Sequence, residues 1–151
     1  KEAINKLLPP RWSKNNPIDL AGGETRDTIP ELLSMASKHP EIDSIIQLGL
    51  GIQGNTANLV RTGKFYPEHG LERIVNFHER QEKRYAEAAI EASLSSGKPI
   101  LLASELATTQ PNNPMVRTIR NSGHLCYASA NRAVSALNHL VRYSGWRNQG
   151  N

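Results

Sequence analysis

The chain lacks most of the features that announce a specialised class of protein. Its single cysteine, Cys126, excludes an internal disulfide and fits a reducing, cytoplasmic setting. Cys126 lies in Leu125-Cys126-Tyr127-Ala128, an apolar stretch suited to a buried strand, so it reads as a small core residue rather than a thiol nucleophile. The longest apolar runs, such as Ile100 to Ala103, are far too short to span a bilayer. No charged-then-apolar leader opens the chain, and it starts at Lys1 without Met, as expected of a piece of something longer. A nucleophile elbow and a P-loop are both missing: neither G-x-S-x-G nor a Gly-Lys-Ser/Thr after a strand occurs. Repeats and low-complexity tracts are also missing.

Aromatic residues make up only 5% of the chain, and the formal charge of +4 is scattered. Most basic residues between Arg73 and Arg84 alternate with Glu72, Glu79 and Glu82, the pattern of a solvated helix face. Arg142 and Arg147 add basicity near the C-terminus without an aromatic platform, so nucleic acid is not the favoured partner. At 151 residues with 38% hydrophobic content, the chain is one domain's worth and can bury a core.

The most informative segment runs from Asp43 through Ile45 and Leu48 into Gly49-Leu50-Gly51-Ile52-Gln53-Gly54-Asn55. A buried strand enters a glycine turn, and the helix that follows offers unpaired N–H groups and a positive dipole end to an anion. Gly49, Gly51 and Gly54 spell G-x-G-x-x-G, but a dinucleotide site also needs a second strand ending in Asp or Glu about 20 residues on. Lys64 to Arg73 is instead a turn entering a charged helix. The turn therefore reads as anion-facing rather than as a NAD site.

The remaining pattern predicts alternating strands and helices. Residues 1–16, with Pro9, Pro10 and Lys14, read as an extended lead-in, and Pro17 to Leu20 as a first strand. Thr28-Ile-Pro-Glu31 reads as a capping box opening a helix that His39-Pro40 ends. Strands are predicted at 44–48, 99–104 and 125–128, and helices at 55–61, 71–96, 115–122 and from Ser129 to about Tyr143. Within the long helix, Ile74, Phe77, Tyr85, Ala88 and Ala92 are expected to share the buried side. Four parallel strands with crossovers would bring the loops 21–24, 49–55, 104–109 and 128–129 to one edge, where ligands bind in such sheets. Gly22, Gly23, Glu24 and Glu105 would then neighbour the glycine turn. His78 and Glu82 are four apart on one helix, a weak metal pair with no third ligand, and the other histidines, His39, His69, His124 and His139, have simpler structural accounts. Asp19, Glu24, Asp27 and Glu105 are the carboxylates nearest that edge, and none completes a catalytic set.

Several motifs together resemble one domain of the NDP-forming acyl-CoA synthetases, relatives of the succinyl-CoA synthetases. Leu8-Pro9-Pro10-Arg-Trp12-Ser13 followed by Asn16-Pro17-Ile18-Asp19-Leu20-Ala-Gly22-Gly23 resembles its opening. Ile42 to Ile46 with the turn at 49–55, Gly97-Lys98-Pro99-Ile100, Ser122-Gly123-His124 to Tyr127, and Ala130 to Val134 resemble its later strands, turn and closing helix. The resemblance implies an α/β, flavodoxin-like three-layer ligase domain at 17–145 with a parallel sheet of about four strands, and a tail at 146–151. Such enzymes interconvert acyl-CoA, NDP and phosphate with acid, CoA and NTP through a phosphorylated histidine. CoA, ATP or ADP and Mg would bind other parts of the enzyme: a CoA-binding domain, the ligase domain carrying the phosphohistidine, and an ATP-grasp domain. Carried over, Gly49, Gly51, Ile52, Gln53, Gly54 and Asn55 would face the phosphoryl group, with no catalytic residue on this chain. The turn departs from the family's Phe-Gly-Gly-Ile core, and residues 63–73 look like an insertion. A non-catalytic docking or regulatory domain and an independent nucleotide- or flavin-binding module are the alternatives.

Overall fold

The computed structural model describes residues 2–20, 22 and 25–149. The chain is α/β, with three short parallel strands, β1 (Ile45–Gln47), β2 (Ile100–Ala103) and β3 (Cys126–Tyr127), in the order β1-β2-β3. The helices are α1 (Glu2–Leu7), α2 (Thr28–Lys38), α3 (Ile52–Arg61), α4 (Leu71–Ser96), α5 (Leu106–Thr109), α6 (Pro114–Asn121) and α7 (Ala130–Gln149). None of them is long and apolar enough to cross a membrane, among the described residues.

The strand alternation divides the core in two. Ile100 and Leu102 of β2 point to one face, where Leu33 of α2, Tyr85, Ala86, Ala89 and Ala92 of α4, and Met115, Val116 and Ile119 of α6 close over them. Leu101 and Ala103 point to the other face, where Ala133, Ala136 and Leu137 of α7 cover them beside Ile46 and Tyr127. Because β2 is buried on both faces, all four of its residues are apolar and inaccessible.

Several boundaries differ from the sequence expectation. Pro17 to Leu20 forms no strand, so the sheet has three strands rather than four. Pro17 has no N–H to give a ladder, and Ser13 engages that segment locally, its amide donating to the Asp19 carbonyl and its hydroxyl to the Pro17 carbonyl. The lead-in is not extended: residues 2–7 are helical, and Leu8 and Trp12 are buried, with the Trp12 indole donating to Asn5. Thr28 is no capping-box residue. Asp27 is the N-cap and makes no side-chain cap bond, while the Thr28 hydroxyl accepts from the Thr25 amide. Helix α7 continues to Gln149, through most of the predicted tail. Along α4, Val75 is fully buried, whereas Ile74 and Phe77 are exposed. The predicted end of that helix at Gly97 holds: Gly97 adopts φ +68° and its amide bonds the Ser93 carbonyl.

Candidate functional site

The glycine turn lies beyond the carboxyl end of β1, as expected. Gly49 and Gly51 take φ values of +75° and +96°, a region L side chains avoid. This double reversal lets α3 begin at Ile52, three residues before the predicted start, with Gly51 as N-cap. Asn55 sits inside the helix, where its amide bonds the Gly51 carbonyl and its side chain accepts from Gln110 at 2.8 Å.

Three loops converge here. The Ser104 hydroxyl, just past β2, donates to the Leu50 carbonyl at 2.8 Å, and the Ser104 amide bonds the Tyr127 carbonyl at the end of β3. Asn113 caps α6 by accepting from Met115 and donates its own amide to the Gly51 carbonyl at 3.1 Å. Leu106, Met115 and Ser104 close in so tightly that a Cβ at Gly51 would lie 2.5 Å from Leu106 Cδ1. A Cβ at Gly54 would lie 2.6 Å from the Asn113 side chain. Gly51 is favoured chiefly by its φ of +96°, and Gly54 by the closeness of the hydrogen-bonded Asn113 side chain.

The group that the amides of the turn hold is a side chain of the chain itself. Glu82, at 1% exposure one of the most buried side chains, accepts from the Gly51 amide at 2.7 Å and from the Gly54 amide at 3.1 Å, with the Gln53 amide directed at the same carboxylate. Burial raises the Glu82 pKa above the ordinary carboxylate range, and those three amides act against the shift. A helix N-terminus suits a carboxylate for the same reason it suits a phosphate. The amides of Gly51, Gln53 and Gly54, assigned from sequence to a phosphoryl group, therefore face Glu82.

Glu82 also corrects the reading of the 73–84 segment as a wholly solvated face. Its position was legible: Val75, Glu82, Ala86 and Ala89 follow one another at spacings of seven, four and three, so Glu82 interrupts a buried stripe. His78 and Glu82 do not converge on a common point. His78 Nδ1 donates to Gln53 Oε1, while Glu82 reaches the turn backbone. No group of three metal-binding side chains occurs among the described residues.

Of the neighbouring loop residues, Gly23 and Glu24 lie outside the described residues. Gly22 is an exposed turn residue at φ +64°, with nothing within 4 Å of where a Cβ would stand. The Arg26 carbonyl just beyond it accepts from Gln81 and Arg84 of α4, and Arg84 pairs with Asp27. Glu105 is exposed at the start of α5, where its carbonyl accepts from the hydroxyls of Thr108 and Thr109. Cys126 is half-buried with its thiol 3.8 Å from Met115 Sδ, consistent with the packing role expected of it. Gln47, the one polar residue of β1, has a buried Oε1 with no hydrogen-bond partner.

No protein-family model, curated protein or solved structure matches this chain.

Proposed function

We propose that this chain is a non-catalytic docking domain, flavodoxin-like in plan, of an NDP-forming acyl-CoA synthetase. Its partners in that reading are a CoA-binding domain, a phosphohistidine-bearing ligase domain and an ATP-grasp domain, fused or on separate chains, which supply the CoA, nucleotide and Mg sites in a cytoplasmic enzyme. The motif order noted in the sequence supports the family. The docking role rests on one observation: the buried Glu82 carboxylate occupies the Gly51 and Gly54 amides. A phosphoryl group approaching the turn has to compete with a carboxyl group already buried and bonded.

A second reading keeps the phosphoryl-holding role, supported by the same amides, which already donate to an oxygen-bearing acid group. Amide NMR of the chain with acetyl phosphate and with inorganic phosphate separates the two. Docking predicts unmoved Gly51, Gln53 and Gly54 resonances at millimolar ligand, whereas saturable shifts at these amides favour the phosphoryl role. The enzyme assignment is tested by assaying acid-, CoA- and ATP-dependent acyl-CoA formation in the complete assembly and in the chain alone. Activity confined to the assembly supports it. An assembly without acyl-CoA formation over a panel of carboxylic acids sinks it.

A further inference from the structure

Arg142 and Arg147, the arginines near the C-terminus, do have an aromatic platform between them. Tyr143 and Trp146 of α7 lie with ring centroids 5.9 Å apart and planes at 34°, and both are exposed, Trp146 at 70%. The core does not account for this pair, because the side of α7 that packs on the sheet carries Ala133, Ala136 and Leu137. The rings belong to a longer solvent-exposed face. His139, Tyr143 and Trp146 follow one another at spacings of four and three, Arg132 precedes His139 by seven, and Arg142 precedes Trp146 by four. All five are exposed, and none is aliphatic. The exposed Val134 and Val141, seven residues apart, fall on another side of the helix from Trp146.

Helix α7 carries one sign of charge. Its sequence holds Arg132, Arg142 and Arg147 and no Asp, Glu or Lys, and all three arginines are exposed. The ion pairs among the described residues involve none of them. The helix dipole accounts for Arg147 in the last turn, but it disfavours a cation in the first turn, where Arg132 stands. We infer that this face of α7 binds single-stranded nucleic acid, with bases stacked on Tyr143 and Trp146 and phosphates held by the arginines. Stacking on exposed rings beside a cationic track is the chemistry that recognises an unpaired strand. From Arg132 to Trp146 the face runs ~21 Å, room for several nucleotides. Paired bases in a duplex present no free face to the rings. An anionic bilayer calls for aliphatic side chains on the same face, which this face lacks. An acidic peptide would meet the arginines but offer the rings nothing planar to stack on. The surface is independent of the proposed synthetase role, and so is its test.

The test uses the whole chain with labelled RNA and DNA single strands of about ten nucleotides. The matching duplex, inorganic polyphosphate and vesicles containing phosphatidylserine serve as competitors, and no acid, CoA or ATP is present. Binding is followed by fluorescence anisotropy of the strand and by tryptophan quenching, which reports Trp146 because Trp12 is buried. Single strands are expected to quench, to outcompete duplex and polyphosphate, and to weaken steadily as salt is raised. The tighter of RNA and DNA identifies the natural strand, and binding of either supports the inference. Tyr143→Ala and Trp146→Ala should each weaken binding about tenfold. Replacing Arg142 and Arg147 together with Gln should reduce the salt dependence. Val141→Ser, on another side of the helix, should leave affinity unchanged, and circular dichroism checks that each variant is folded. No binding at low salt, polyphosphate equal to the single strands, preference for duplex or vesicles, or an affinity unmoved by Trp146→Ala would each overturn the inference.

Discussion

The carboxylate of Glu82 accepts a 2.7 Å hydrogen bond from the amide of Gly51, a residue 31 positions earlier in the chain. That bond and its companion from Gly54 tie the start of α3 to the middle of α4 and satisfy amides that no helical carbonyl can reach. The arrangement makes α3 and α4 a braced pair, and the glycine turn is the near side of that brace.

A carboxyl whose pKa is raised on folding binds its proton more tightly in the native state than in the unfolded chain. Its contribution to stability is complete below the unfolded value and is lost as pH rises through the folded one. Glu82 therefore gives the wild type a component of stability that declines from the ordinary carboxylate range upward. Urea unfolding at a series of pH values should show this decline in the wild type and a flatter dependence in Glu82→Gln. Parallel curves for the two proteins would refute the assignment.

The glycines of the turn should differ in their sensitivity. Gly49→Ala meets nothing within 4 Å and carries only the backbone cost of φ +75°, about 1–2 kcal/mol. Gly51→Ala adds a Cβ 2.5 Å from Leu106 to a φ of +96°. Gly54→Ala displaces Asn113 from two hydrogen bonds. Both should cost more than Gly49→Ala, on the order of 3 kcal/mol. Chemical denaturation gives the ranking, and a Gly49→Ala change as damaging as Gly51→Ala would contradict it.

Gln47→Met should stabilise the protein by roughly 1 kcal/mol, because it removes a buried carbonyl oxygen that has no partner while keeping the length of the side chain. Thermal unfolding measures this directly. A lower Tm in the variant would mean that Gln47 is held by an interaction worth more than its desolvation.

Burial raises the pKa of the Cys126 thiol, against a smaller opposing influence of Arg120. Less thiolate is present at neutral pH than in an exposed cysteine, so modification by a disulfide reagent should be slow in the folded chain and rapid in urea. Fast folded-state labelling at pH 7 would show that the strand end opens readily.

The sequence carried the order of the elements well. The end of α4 at Gly97, the strand at 100–103 and the turn after β1 were all readable, because each rests on local chemistry: a left-handed glycine, a continuous apolar run, a strand broken by glycines. The strand at Pro17 to Leu20 was misread because its apolar pattern suits a ladder, while Ser13 supplies competing local partners that the pattern does not reveal.

By itself, then, the sequence determined an α/β chain with a parallel sheet and a glycine turn shaped for an anion, since period, glycine placement and helix start are properties of neighbouring residues. Only the tertiary structure decided which anion the turn holds. The helical spacing can place Glu82 on a buried stripe, but its pairing with an amide 31 residues away depends on how α4 packs against α3.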